Sequence, residues 1–286
     1  MAIPDDDDVN REIDIVGTEH VIRASLQAGV QKFIYPSSVE VYGQHQPAVV
    51  DERSELTPSN YGYGHSKLAA ERLCLRYFEE KAFPATILRL SVVYGPYAGV
   101  WTTTVISRLL SHGFCKSRYF NGVCNPVYVD DCVDGIFLAI MTDNTNGEVY
   151  NISGNEKLAW NEYFESYNQL LGLPALREAG WTELKCYQLA RRIFDLGYSR
   201  LKPKYGGEVF FKYSQLREGR RLPNLKGFLQ RGSLLQAIDV FGRTAFYSTE
   251  KARRELGFQP RYDFRRGMAL VREWLLHTSL VPAGRG

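Results

Sequence analysis

Lys32-Phe33-Ile34-Tyr35-Pro36-Ser37-Ser38-Val39-Glu40-Val41-Tyr42-Gly43 opens with a short, nearly continuous apolar run that ends in paired serines. Such a run suits a strand covered on both faces of a parallel sheet, where no polar alternation is needed. The expected strand is Gln31 to Ser37. Before it, Ile13 to Ala28 places Ile15, Thr18, Val21, Ile22, Ser25 and Leu26 at helical intervals, and Gly29 supplies the stop. A helix that feeds a buried strand is half of a βαβ unit, so this pair predicts an α/β fold with a parallel sheet.

Downstream, Tyr63-Gly64-His65-Ser66-Lys67 sets a phenol and an ammonium four residues apart at the start of the next helix, on one face. Ala70, Cys74, Tyr77 and Phe78 continue that stripe, and Arg72, Arg76 and Glu79 take the opposite side. Lys67 therefore lies along the face to be packed, which is costly unless something polar receives it. A tyrosine becomes a usable acid or base at neutral pH when a close cation stabilises its phenolate. The spacing fits proton transfer. It equally fits an amphipathic aromatic beside a lysine whose amine reaches solvent.

Further along, Thr86 to Tyr94 is an expected strand that turns out through Tyr94-Gly95-Pro96, and Trp101 to Leu110 an expected helix. Asn125 to Asp131 reads as a short strand capped into a helix, with Asp131 near the N-cap and Val133, Ile136, Phe137 and Ile140 as the apolar face. Gly147 to Gly154 is a further strand and Trp160 to Leu171 a helix. Leu184 to Leu201 could form a helix with Leu189, Ile193 and Leu196 on one face. The end holds a capped helix within Phe246 to Pro260, stopped at Gly257, and a last helix over Tyr262 to Leu276.

A chain of 286 residues with 44% hydrophobic and 23% charged content can bury a substantial core as an ordinary globular protein. No apolar run has the length of a membrane span, and the acidic start at Asp5 to Asp8 is unlike a secretory leader. Asp5 to Asn10 reads as a disordered tail. Cys74, Cys115, Cys124, Cys132 and Cys186 show no close-paired spacing, so neither a disulfide framework nor a metal site is indicated, and a cytoplasmic setting is expected. From Leu184 to Arg231, twelve Lys or Arg face three acids. That excess suits a solvated face, a pocket for an anionic substrate, or a surface for anionic lipid, and no nucleic-acid recognition motif accompanies it.

Taken in order, the serine-ended strand, the Tyr63 to Lys67 segment and Leu88-Arg89-Leu90-Ser91-Val92-Val93-Tyr94-Gly95-Pro96 resemble the extended short-chain dehydrogenase/reductases. That group includes nucleotide-sugar epimerases and dehydratases and the 3β-hydroxysteroid dehydrogenase branch. The resemblance runs from about Ile13 to about Leu276 and implies an incomplete Rossmann-like parallel sheet flanked by helices, with a smaller, mostly helical C-terminal lobe. It divides the chain into a partial NAD(P)-binding domain over 11–154 and a substrate lobe with C-terminal helices over 155–286.

By the same resemblance, Ser38 hydrogen-bonds a substrate oxygen, Tyr63 exchanges its proton, and Lys67 binds the nicotinamide ribose and lowers the pKa of Tyr63. Ser37 and Tyr61 are the neighbours that a register shift would substitute. Leu90, which stands where the family usually has proline, and Val93 line the nicotinamide end together with Tyr63 and Lys67. The implied cofactor is NAD or NADP, the substrate a small molecule such as a nucleotide sugar or a sterol, and the assembly a homodimer.

One part of the family pattern is absent. The 25 glycines contain neither Gly-x-x-Gly-x-x-Gly nor Gly-x-Gly-x-x-Gly. In the family's strand order, 3-2-1-4-5-6, the strand at Lys32 to Ser37 is the fourth, so about 70 to 80 residues, or two βαβ repeats, are expected ahead of Ile13. Without them that strand is an open sheet edge. The expectation is a fragment of a longer oxidoreductase, and the alternative is a catalytically silent binding module whose edge a partner completes.

Overall fold

The computed structural model describes residues 11–44, 46–58, 62–110, 115–185 and 240–278. The acidic tail, Tyr61, Cys186 and nearly all of the basic segment, with its Leu189, Ile193 and Leu196 face, lie outside the described residues.

A π-helical turn at Arg11–Val16 runs directly into α1, Gly17–Ala28, and Gly29 closes α1 in the left-handed conformation at φ 65°. Then come β1, Phe33–Ser38, a 3₁₀ turn at Val39–Tyr42, and the short β2, Val49–Val50. The long helix α2, Gly62–Lys81, leads to β3, Ala85–Leu90, and β4, Val92–Tyr94. A second π turn, Gly99–Thr103, opens α3, Thr104–Leu110. After it come β5, Pro126–Tyr128; α4, Val129–Met141; β6, Val149–Ile152; and α5, Trp160–Leu170. The C-terminal part holds β7, Phe246–Tyr247; α6, Glu250–Leu256; and α7, Phe264–His277.

The main sheet is parallel, in the order β1-β3-β6. Its strands alternate in the two-residue period that sends neighbouring side chains to opposite faces. Ala85 and Ile87 join Ile22, Ala70, Leu73, Cys74 and Tyr77 beneath α1 and α2. Leu88 and Ile152 join Cys132, Ala139, Ala252, Leu256 and Phe258 beneath α4 and α6. Helices therefore cover both faces, as parallel strands require, and each fully buried aliphatic side chain contributes about 1.5–3 kcal/mol. A separate aromatic core, including Tyr94, Tyr128, Trp160, Tyr163, Phe164, Tyr167 and Phe264, fills the region around α3, α5 and α7.

Four expectations change. The strand expected over Thr86 to Tyr94 is two strands, because the chain leaves the main sheet at Ser91: Ser91 N donates to Ile152 O at 3.1 Å, Val92 N to Asn125 O, and β4 pairs with β5 instead. Asp131 does not cap α4. It is buried in the first turn, and its carboxylate accepts from Arg261 N at 2.8 Å and Tyr262 N at 3.3 Å, tying α4 to the loop before α7.

The apolar face expected on α4 is largely exposed, at Val133, Phe137 and Ile140, while Cys132, Gly135 and Ala139 meet the sheet. Small residues permit the close approach: a Cβ on Gly135 would lie 3.2 Å from the Ile152 side chain. Finally, β1 is less covered than its composition suggests, with Tyr35 and Ser37 buried but Phe33 and Ile34 only partly so, and Pro36 exposed. Among the described residues, β1 pairs on one side alone, which accommodates a proline that lacks an N–H.

Candidate active site

The carboxyl ends of the three parallel strands form one row, with Ser38 in register with Leu90 and Leu90 in register with Ile152. Ligands of open α/β sheets sit at this end. Ser38 ends β1 in extended geometry, and its Oγ accepts from Glu40 N at 3.2 Å, which turns the chain into the 3₁₀ segment. Val93, on β4, packs with Leu90 against the core under α4.

Helix α2 brings Tyr63 and Lys67 to the row. Its first turn can lie against the 3₁₀ segment because residue 64 is glycine; a Cβ there would stand 2.8 Å from Glu40 O. The expected stripe is borne out, with Ala70, Cys74 and Tyr77 buried and Arg72, Arg76 and Glu79 exposed. Ser38 stands near enough to the Tyr63 side chain to favour its phenolate. Lys67 Nζ lies 5.7 Å from the Tyr63 ring centroid and 5.2 Å from that of Tyr35. Tyr63 and Lys67 thus lie together near Ser38, and Leu90 is in register with Ser38 on the next strand, while Leu90 and Val93 both pack into the core under α4.

Lys67 does not reach into solvent. Its Nζ pairs with Asp14 Oδ1 at 3.2 Å, in a contact where the lysine and aspartate side chains are 16% and 14% exposed. The other oxygen of Asp14 accepts from Ser66 Oγ at 2.6 Å. Tyr63 is pushed up to about 12, first by burial and then by the Asp14 carboxylate, while Ser38 acts in the opposite sense and Glu40 adds a smaller upward push. The resemblance implies a lowered tyrosine. In this structure, burial and two carboxylates raise it instead.

Beneath the row lies a buried polar network that the sequence reading left aside. Ser37 Oγ donates to Glu71 Oε1 at 2.5 Å, and Arg89 Nη2 to Glu71 Oε2 at 2.7 Å. Arg89 Nη1 also donates to the Tyr42 hydroxyl at 2.9 Å, which in turn donates to Asn151 Oδ1 at 2.7 Å. The network joins β1, α2, β3 and β6. Arg89 between Leu88 and Leu90 in an apolar strand was the available signal, since a buried cation needs a partner. On the outer side, Arg243 holds Glu40 through paired bonds at 2.8 and 2.9 Å.

Among the described residues, no group of three or more His, Cys, Asp or Glu could hold a metal ion, and no helix is long and apolar enough to cross a membrane.

A model of the NAD dependent epimerase/dehydratase family matches residues 5–153. The chain is 37% identical over 152 residues to the dTDP-D-glucose 4,6-dehydratase of Mus musculus, covering 51% of this chain and 42% of the relative. It is 27% identical over 264 residues to the dTDP-glucose 4,6-dehydratase of Streptomyces antibioticus, covering 91% and 62%. This chain therefore spans less than half the length of its mouse relative. Among solved structures, the UDP-glucose 4-epimerase of Thermotoga maritima with UDP-glucose superposes with a TM-score of 0.66 at 21% identity, over 96% of this chain and 72% of that one. The dTDP-glucose 4,6-dehydratase of Streptomyces venezuelae with NAD bound gives 0.65 at 22%, over 95% and 68%. At these identities, the structural matches establish the fold: a Rossmann-like parallel sheet flanked by helices.

Proposed function

The chain belongs to the NAD dependent epimerase/dehydratase family, and from that premise we propose that it carries the proton-transfer part of a nucleotide-sugar epimerase or dehydratase site. The observation that carries this reading is the approach of the Lys67 ammonium to 5.7 Å from the Tyr63 ring on the same helical face, with Ser38 at the end of β1 near enough to act on the phenol. A hydroxyl, a phenol and an ammonium at the carboxyl end of the sheet form a donor set suited to a substrate hydroxyl and a ribose diol. Nucleotide sugars are favoured over sterols because the relatives named above act on dTDP-glucose or UDP-glucose.

In this reading, Ser38 hydrogen-bonds the substrate oxygen, and Tyr63 takes the proton from the reacting hydroxyl or returns it to the keto oxygen. Leu90 and Val93 form the apolar wall beside them. Lys67 would hold the nicotinamide ribose, and the cofactor, NAD or NADP, supplies the hydride acceptor when bound. The donor set fits that end of the dinucleotide. For its diphosphate, the sequence offers no Gly-rich turn. We assign 11–154 to the cofactor side and 155–286 to the substrate side, with the return of β7 beside β2 and of α6 onto the main sheet joining the two.

A second reading, a binding module without turnover, is favoured by the capture of Lys67 by Asp14. Thermal unfolding of the 286-residue chain in the presence of NAD, NADP and UDP- or dTDP-glucose separates the two. Protection by a dinucleotide that disappears in Lys67→Ala supports the oxidoreductase. Protection by the sugar nucleotides alone supports the binding module.

A further inference from the structure

Arg243 reaches the strand-end row from a position 203 residues away from its partner there, Glu40. It stands on the stretch 242–247, which returns from the C-terminal half and ends as β7 beside β2. Its guanidinium places one nitrogen on each oxygen of Glu40, Nη1 on Oε1 at 2.8 Å and Nη2 on Oε2 at 2.9 Å. The arginine side chain is only 7% exposed and the glutamate 25%, so little water competes for these bonds. A paired contact of this kind fixes direction as well as distance, which a single-point ammonium does not.

The stretch that carries the guanidinium is anchored from behind. Val123 N donates to Arg243 O at 2.6 Å, and the approach is open because residue 122 is glycine, where a Cβ would run into that same oxygen. Asn125 Nδ2 donates to Ala245 O at 2.8 Å, Asn125 Oδ1 accepts from Tyr247 N at 3.2 Å, and the Tyr247 ring stacks on Tyr42. Arg243 is thus delivered by a held segment.

In front of it, Glu40 lies in the 3₁₀ turn that Ser38 caps. Glu40 N donates to Ser38 Oγ at 3.2 Å, and Gly43 N donates to Glu40 O at 3.3 Å. That same carbonyl oxygen faces Gly64, beside Tyr63, in the first turn of α2. A continuous line of contacts therefore runs from the C-terminal half through Glu40 to the two segments that bear Ser38 and Tyr63.

Resting on the reading above, we infer that Arg243 is a positioning residue for the site: by holding Glu40 it seats the 3₁₀ turn that follows Ser38 against the first turn of α2, and so sets Ser38 and Tyr63 relative to each other. A buried ion pair gives little net stability over apolar residues of the same volume. What the fork adds here is orientation.

The test is made on the cofactor-free 286-residue chain, so its failure is distinct from a failure to bind a dinucleotide or a sugar nucleotide. Amide exchange followed by NMR compares Glu40 and Gly43, bonded within the turn, with Ile87, bonded in the main sheet to Glu148 O at 2.9 Å. Carbon-13 relaxation of labelled tyrosine, with Tyr63→Phe assigning the signal, reports the mobility of the Tyr63 ring. In Arg243→Met, the Glu40 and Gly43 amides are expected to exchange about tenfold faster while Ile87 keeps its rate, because the opening is local, and the Tyr63 ring is expected to become more mobile. Arg243→Met combined with Glu40→Gln leaves no charge buried and carries the same expectation where the single variant does not fold. Arg243→Lys keeps the charge without the paired bonds and should restore only part of the protection. Thr244→Ala, exposed on the same stretch, should change none of these signals. Equal acceleration at Ile87 would make the pair a support of the whole fold and overturns the inference. So do unchanged Glu40 and Gly43 rates, or a Tyr63 ring as rigid as in the wild-type chain, once the pair is removed.

Discussion

Glu71 and Arg89 show what a single charge does beneath the site. Both are nearly inaccessible to water, at 1% and 3% exposure, and Glu71 also takes the hydroxyl of Ser37, the residue before Ser38. Removing one partner of such a pair leaves the other as an uncompensated buried charge. Glu71→Ala should therefore destabilise the chain by about 3–5 kcal/mol in urea unfolding; a loss under about 1 kcal/mol would mean that water reaches the guanidinium readily. Helical spacing alone puts Tyr63 and Lys67 on one face, as the structure has them, whereas Ser38 and the roles of all three come from the resemblance. Asp14 was not legible. Its partners lie on another helix, with Ser66 at a separation of 52 residues, and nothing in Ile13-Asp14-Ile15-Val16 marks a π turn.

Helix α4 is the element where residue type and fold part company. Helical period alone selects Val133, Phe137 and Ile140 for the core, yet Phe137 is 60% exposed while Gly135 lies buried against Ile152. Close contact with the sheet chooses the small stripe of Cys132, Gly135 and Ala139, since bulk there would lift the helix off β3 and β6. The expected effects of mutation are therefore the reverse of those predicted from hydrophobicity. Gly135→Phe should cost about 1–3 kcal/mol or more through overpacking, although phenylalanine forms helix better than glycine by a few tenths of a kcal/mol. Phe137→Ser should change stability by about 0.5 kcal/mol or less. Denaturant midpoints for the two variants decide it, and a large loss in Phe137→Ser would assign that face a partner in the chain as purified. The break between β3 and β4 escaped sequence reading for a related reason: Leu90-Ser91-Val92 suits an uninterrupted strand, and only the pairing of Val92 with Pro126 shows where the chain changes sheets.

Across the whole molecule, tyrosine carries much of the buried polar surface, and that couples the fold to alkali. Tyr42, Tyr63, Tyr167 and Tyr247 sit at the strand-end row, in the aromatic core and on β7, and burial leads the causes that push each of them up to about 12. In the unfolded chain a tyrosine ionises near pH 10. A folded value above the unfolded one means that the fold favours the protonated phenol. The contribution of these groups is then fully present below about pH 10 and is lost as pH rises through about 12. Each such tyrosine steepens the loss by up to about 1.4 kcal/mol per pH unit in that window. Urea midpoints measured from neutral pH upward should stay level with respect to these groups to about pH 10 and then fall sharply. Tyr247→Phe, which removes one ionising group while keeping the ring stacked 5.8 Å from Tyr42, should make that fall shallower. A variant whose stability tracks the wild-type chain in parallel through the alkaline range would show that the Tyr247 phenol remains open to water in the folded state, against its position on β7 beneath Arg243.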